Sequence, residues 1–337
     1  MAPQNLTQSP QATTTDEQIS TPIDTSSTSI ANLEADSDDS NDDTDSAIGR
    51  SLLSPTASVQ ENIYNFLEEN GRSYHRYKEG RQVEKDRLDL QHHLCGLTFE
   101  GLHLAPLKTV DGGLHNVLDI GTGTGIWAID FATQYPSAIV LGTDLSPIQP
   151  TYVPPNCYFE IDDAEDPWVY TRKFEYIHGR LLASCFESHL NVFKSAFSFL
   201  TPGGFIELQD AAFPNRCDDG SWNGSSFEKW MGLVMKGAKI FGKDWSSVSK
   251  YTQYLEEAGF VDIVEHKFYW PIGTWAKGAK NKKLGLWCKE NFFSGLQGFS
   301  MAVMTKALGM SAADVDMLLA EVRAEVESKK VHVYVPM

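Results

Sequence analysis

Val117-Leu118-Asp119-Ile120-Gly121-Thr122-Gly123-Thr124-Gly125 reads as a buried strand running into a glycine turn, with a helix opening at Ile126. In open α/β sheets such turns deliver ligands to the carboxyl ends of the strands. Glycine is needed there because the backbone bends sharply and a ligand lies against bare amides. The spacing is Gly121-x-Gly123-x-Gly125, whereas a loop that cradles a diphosphate is spaced Gly-x-Gly-x-x-Gly. Asp119, two residues before the first glycine, suits a ligand with an amino group better than one with a diphosphate.

The loop resembles motif I of the class I methyltransferases, which bind S-adenosylmethionine (SAM). That resemblance makes Asp119, Gly121, Gly123 and Gly125 candidate cofactor residues. Residues 138–143 form a second apolar strand closed by Asp144, where a carboxylate can accept both hydroxyls of a ribose. Leu145 follows it and joins the cofactor set. A third strand begins at Tyr158 and ends in the paired acids Asp162 and Asp163. In the methyltransferase fold an acid at this point meets the adenine amino group. Asp163 is the first choice, because Asp-Ala is the usual end of that motif, and Asp162 is the second.

Composition narrows the partners. The chain has 337 residues, of which 42% are apolar, enough for a real core. Its net charge of −17 argues against a nucleic-acid partner. Five cysteines without Cys-x-x-Cys spacing argue for a reducing compartment and against a disulfide framework or zinc site. The N-terminus shows no basic start followed by an apolar run, and no apolar stretch approaches the roughly 20 residues of a membrane span. A protein of the cytoplasm, the nucleus or both, neither secreted nor membrane-bound, is expected.

Residues 1–58 are rich in Ser, Thr, Asp and Pro, and a disordered acidic tail is expected there. Residues 59–107 read as an N-terminal helical cap, with one helix carrying Ile63, Phe66 and Leu67 and a second covering roughly residues 84–97. His92 and His93 are adjacent on that second helix and point apart, so packing or hydrogen bonding is expected of them and no metal. Residues 108–337 form the catalytic domain, alternating strand and helix as a parallel sheet demands. Strands are expected at 174–178, 205–209, 261–270 and 331–335, completing a mostly parallel seven-stranded sheet flanked by helices. Helices are expected at 189–199, 227–241, 248–258, 289–307 and 312–328, and the basic run 277–283 as a solvated loop. Trp222, Phe227, Trp230 and Met231 are candidates to shape an acceptor pocket.

The resemblance extends past the glycine loop. Asp-Arg-Leu-Asp-Leu-Gln-His-His-Leu (86–94), Leu-Asp-Ile-Gly-Thr-Gly-Thr-Gly-Ile-Trp-Ala-Ile-Asp (118–130), Asp-Leu-Ser-Pro-Ile-Gln-Pro (144–150) and Tyr-Ile-His-Gly-Arg (176–180) are similar to the fungal LaeA-like methyltransferases. Membership implies a Rossmann-like, SAM-dependent enzyme tied to fungal secondary metabolism. Some members act on small molecules in biosynthetic clusters, and others regulate such clusters as nuclear partners of velvet-type proteins. Where members carry a Pro-Asn-Asp-Glu-type segment, only Arg81-Gln82-Val83-Glu84-Lys85 stands here, so a shortened lid is expected. Members also continue past Pro336-Met337, so a short final strand is expected.

Methyl transfer from a sulfonium is an in-line displacement that asks the protein mainly to position the reactants and exclude water. A neutral hydroxyl or an ammonium acceptor also needs a base. His178, at the end of the fourth strand, is the candidate, with Glu207 and Asp210 as weaker ones. A small-molecule methyltransferase is the leading reading and a regulator of the same fold the alternative. A dinucleotide-dependent oxidoreductase fits the glycine spacing poorly.

Overall fold

The computed structural model of the protein describes residues 33–36 and 81–337. Strands β1 (Asn116–Ile120), β2 (Ile139–Asp144), β3 (Cys157–Ile161), β4 (Phe174–Arg180) and β5 (Leu200–Gln209) form a parallel sheet in the order β3-β2-β1-β4-β5. The chain winds outward from β1 to β3 and then returns to lay β4 on the other side of β1. The strand order therefore reverses between β1 and β4, and a crevice opens at their carboxyl ends.

Helices in chain order are α1 (Arg81–Phe99), α2 (Ile126–Gln134), α3 (His189–Phe199), α4 (Ser226–Ile240), α5 (Tyr251–Ala258), α6 (Ala279–Ala302) and α7 (Ala312–Glu327). Successive residues of a strand face opposite ways, so each central strand feeds two cores. Val117 and Tyr176 pack with Trp127 and Phe131 of α2, while Leu118 and Ile177 pack with Phe193 of α3 and Tyr251 of α5. Trp127 and Phe131 are almost wholly buried, each contributing roughly 2–3 kcal/mol by leaving water. Side-chain caps start three helices: Ser188, Ser225 and Ser311 accept from the backbone N–H of Asn191, Glu228 and Asp314.

A third core lies among the helices. Leu94 of α1, Phe227 of α4, Leu296 of α6 and Val322 of α7 share it with Trp270, Ile272 and Val333. Helix α1, from the described part of the expected N-terminal cap, thus packs into a helical layer that takes most of its mass from the C-terminal helices.

Among the described residues the sheet has five strands, not seven. The last two, β6 (Tyr269–Pro271) and β7 (Tyr334–Pro336), pair antiparallel with each other. Each is three residues long and contains a proline, which cannot donate to a ladder. Val261 and Val264, expected in the sixth strand, are 80% and 70% exposed and offer no face to bury. The β6–β7 pair meets the chain just after β5, where Ala212 N–H donates to Pro336 O (2.8 Å) and Arg216 bridges to Tyr334.

The basic run 277–283 is not a free loop. Gly278 precedes α6, so Lys280, Lys282 and Lys283 lie in its first turns, where Lys280 pairs with Glu100 (2.8 Å) and Lys282 with Asp36. The expected tail, the helix from Val59 and the run 71–80 lie outside the described residues, except for 33–36. Those four are held because Ala35 bridges antiparallel to Ala276 and Leu33 packs beside Trp275. No helix among the described residues is long and apolar enough to cross a membrane.

Candidate functional site

The crevice predicted by the strand order is lined by β1, β2, β4 and the segment after β5 on one side and by the helical layer on the other, with a volume of about 440 Å³. That volume is in the range of small-molecule sites.

Its floor is the glycine loop. Gly121, Gly123 and Gly125 have φ of +63°, +57° and +79°, a region costly for any side chain. Space is equally restrictive, since a Cβ on Gly121 would lie 2.6 Å from Leu182 Cδ2 and one on Gly125 would lie 2.3 Å from the Phe159 ring. Thr122 N–H donates to Thr143 O (2.9 Å), tying the loop to β2, and Thr124 Oγ1 donates to Asp89 of α1 (2.6 Å). Arg81–Lys85, where a shortened lid is expected, form the start of α1, whose Glu84 and Arg87 line the cavity. Helix α2 follows Gly125 directly, with no side chain capping its first amides.

Acids and a histidine converge on the floor. Asp144, half-buried at the end of β2, accepts from Gly123 N–H and from Ser146 N–H, both at 2.9 Å. Asp119 and His178 are register partners on β1 and β4 and so share a face of the sheet. Asp119 Oδ1 lies 2.7 Å from His178 Nδ1, and Oδ2 accepts from Thr122 Oγ1 at 2.5 Å. Trp127 stacks flat on the imidazole, with centroids 3.7 Å apart and planes at 5°. His178 is fully buried, lines the cavity, and its Nε2 has no hydrogen-bond partner. A carboxylate only accepts, so Nδ1 carries a proton, and in the neutral ring Nε2 presents a lone pair.

Two other charged groups face the cavity. Arg180, at the end of β4, bonds His92 Nδ1 (3.0 Å), and His92 Nε2 bonds Asp130 (3.0 Å), so His92 has the hydrogen-bonding use expected of it. Burial lowers the His92 pKa. Asp210, after β5, accepts from Leu182 N–H (2.8 Å), Ala211 N–H (2.9 Å) and Tyr251 OH (2.9 Å), yet burial still pushes its carboxyl up to about 6.

The structure thus brings Asp119, Gly121, Gly123, Asp144, His178 and Asp210 to one cavity. Gly125 sits behind it under Phe159, and Leu145 is 67% exposed outside it. Asp162 and Asp163 lie beyond β3 and outside the cavity wall, accepting from Tyr170 OH and Glu165 N–H, each at 2.9 Å. Glu207, on the same face of the sheet as His178, lies outside the cavity wall, accepting from Leu104 N–H, Ala105 N–H and Tyr176 OH. Of the four aromatic-pocket candidates, Trp230 and Met231 line the cavity, while Phe227 is core and Trp222 packs against it.

Sequence reasoning missed most of the opposite wall. Cys288, Asn291, Phe292, Leu296 and Phe299 of α6 line the cavity, as does Asn215. The α6 residues recur at helical spacing, and an asparagine within that apolar stripe was the available signal. Asn215 lies in an irregular segment and carried none.

A family profile described as "Methyltransferase domain" matches residues 87–266. The chain is 35% identical over 310 residues to "Methyltransferase pytC" of Aspergillus terreus, covering 89% of this chain and 92% of that protein. It is 33% identical over 291 residues to "Probable methyltransferase tdiE" of Emericella nidulans, covering 83% and 89%. It is 31% identical over 299 residues to "Secondary metabolism regulator laeA" of Aspergillus fumigatus, covering 86% and 79%.

Proposed function

Because the chain belongs to the fungal LaeA-like, SAM-dependent methyltransferases, we propose that it methylates a small-molecule acceptor of secondary metabolism, with His178 as the proton acceptor. The observation that carries this reading is the fully buried His178 in the cavity wall, its Nε2 unpartnered and its tautomer set by Asp119.

The residues present fit the cofactor. The left-handed glycine turn and the start of α2, which no side chain caps, border the cavity, and Asp144 offers a carboxylate to ribose hydroxyls. Asp163 or Asp162, with Leu145, would hold adenine. A carboxylate can accept about four hydrogen bonds, so their contacts to Glu165 and Tyr170 leave room for an amino group. Arg180 would face the amino-acid carboxylate. When bound, SAM supplies an electrophilic methyl on a sulfonium.

The protein's own part is to orient, dry and deprotonate. Trp127 fixes the imidazole plane and Asp119 its rotation. As the acceptor's oxygen or nitrogen takes the methyl, its proton passes to His178 Nε2, and the buried Asp119 carboxylate stabilises the imidazolium. The test is S-adenosylhomocysteine formation across a panel of phenols, carboxylic acids and heteroaromatic N–H compounds. His178→Ala is expected to cut turnover about 100-fold or more without loss of S-adenosylhomocysteine affinity. Unchanged turnover would remove His178 from the reaction.

A second reading, supported by the likeness to laeA regulators, is a regulator of secondary-metabolite genes in a nuclear complex with a velvet-type protein. Nuclear localisation and co-purification with such a partner, combined with no turnover on the panel, would favour it.

A further inference from the structure

The wall contributed by the helical layer and β6 is mainly carbon. Trp230 donates its indole N–H to Ser300 Oγ (2.8 Å) and Trp270 donates to Thr98 Oγ1 (2.7 Å). Those hydroxyls donate onward to Leu296 O (2.5 Å) and Leu94 O (2.7 Å). Both indoles are therefore locked with their donors engaged. Phe292 meets Trp230 edge-on (5.3 Å, 87°), and Phe299 meets Trp245 likewise (5.4 Å, 89°). Burial pushes the Cys288 thiol well up, so it stays neutral.

Two amide oxygens interrupt this surface. Asn215 is 3% exposed, and its Oδ1 has no donor. Asn291 Oδ1 is likewise buried and without a donor. Both residues line the cavity. The segment around Asn215 is pinned, because Arg216 and Tyr334 exchange backbone hydrogen bonds at 2.9 Å and Asn215 N–H points at Met231 Sδ (3.4 Å). Buried acceptors with no donor reward a ligand that supplies one and reject an analogue that cannot.

We propose that this wall selects an uncharged aromatic acceptor carrying a hydroxyl or ring N–H, which donates to the Asn215 and Asn291 carbonyls. The proposal rests on the methyl-transfer reading and names its substrate class. A carboxylate acceptor would set its oxygens against the two amide oxygens. Arg87, which lines the cavity beside Gly295 of α6, is already held by both oxygens of Glu84 (2.8 and 2.5 Å). The aromatic rings supply stacking and edge contacts for a flat molecule.

The experiment titrates the full chain, with and without S-adenosylhomocysteine, with 2-naphthol, 2-methoxynaphthalene and 2-naphthoate, following heat and tryptophan fluorescence. 2-Naphthol is expected to bind at least about tenfold more tightly than the ether or the carboxylate. Asn215→Leu and Asn291→Leu should bring 2-naphthol down to the level of the ether and leave the ether unchanged. Should either variant fail to fold, the comparison of the three probes on the natural chain decides alone. Absence of 2-naphthol binding, or an ether or carboxylate that binds as well, overturns the proposal. The S-adenosylhomocysteine heat is read separately. Its absence would count against the cofactor site, whereas its presence without discrimination among the naphthalenes would overturn only the acceptor class.

Discussion

Asp119→Asn isolates the charge behind His178. The side chains keep their shape, but the anion 2.7 Å from Nδ1 becomes neutral in a site where Asp119 is 3% and His178 0% exposed. Two unit charges about 4 Å apart interact by about 4 kcal/mol at an effective dielectric near 20. That is the support an imidazolium formed during proton transfer would lose. With the proton between half and fully transferred in the transition state, about 2–4 kcal/mol is lost, or roughly 30- to 1000-fold in turnover. The folded state also exchanges two charge-assisted hydrogen bonds for neutral ones, costing about 1–3 kcal/mol and lowering Tm by about 2–10 °C. The assay is S-adenosylhomocysteine formation with the best acceptor of the panel, beside calorimetry of S-adenosylhomocysteine binding. Nitrogen-15 NMR of the natural chain, expected to show His178 protonated on Nδ1 alone, needs no acceptor. A turnover loss under about threefold with cofactor affinity retained, or a neutral His178 protonated on Nε2, would refute the reasoning.

Two further outcomes follow from the same geometry. Gly125→Ala forces a side chain into φ +79° and against the Phe159 ring 2.3 Å away, so a loss of about 2–4 kcal/mol is expected in thermal or urea unfolding. Adding Phe159→Ala to Gly125→Ala should relieve part of that clash, and a Gly125→Ala protein of natural stability would contradict it. Asp210 titrates near 6 in the fold against 3.8 when unfolded, because burial outweighs its hydrogen bonds. The folded state therefore holds its proton longer, and stability from this group is greatest below about pH 4 and falls by about 3 kcal/mol as pH rises to about 6. Urea titrations of Asp210→Asn across that window should lack this slope, and an unchanged slope would assign it elsewhere.

The parts of the site that were legible in the sequence are those written locally. Asp119 and Asp144 lie near the ends of short apolar strands and the glycine loop follows the first, so a few residues of context place them. The Asp119–His178 pair was not legible, because 59 residues separate its members and only the parallel register of β1 on β4 makes them neighbours. Helix α6 was read ten residues too short at its start, since lysines 277–283 resemble a solvated loop. In the fold Glu100 and Asp36 partner two of them, and the helix continues through. The sixth strand failed for the opposite reason: Val261 and Val264 carry strand-forming side chains, but nothing in their own stretch reveals that no neighbour will cover them. Asn215 is positioned by β7, more than a hundred residues away, and no local pattern marks it.

The most direct measurement is calorimetric titration of the full chain with S-adenosylhomocysteine, beside Asp144→Ala checked for intact folding by circular dichroism. The glycine-loop site requires micromolar-range binding by the natural chain and at least about a tenfold loss in the variant, which removes charge-assisted bonds to the ribose. It also removes the clasp on Gly123 and Ser146. A folded natural chain that gives no heat, or a variant that binds equally well, would contradict the placement of the cofactor on which the whole account depends.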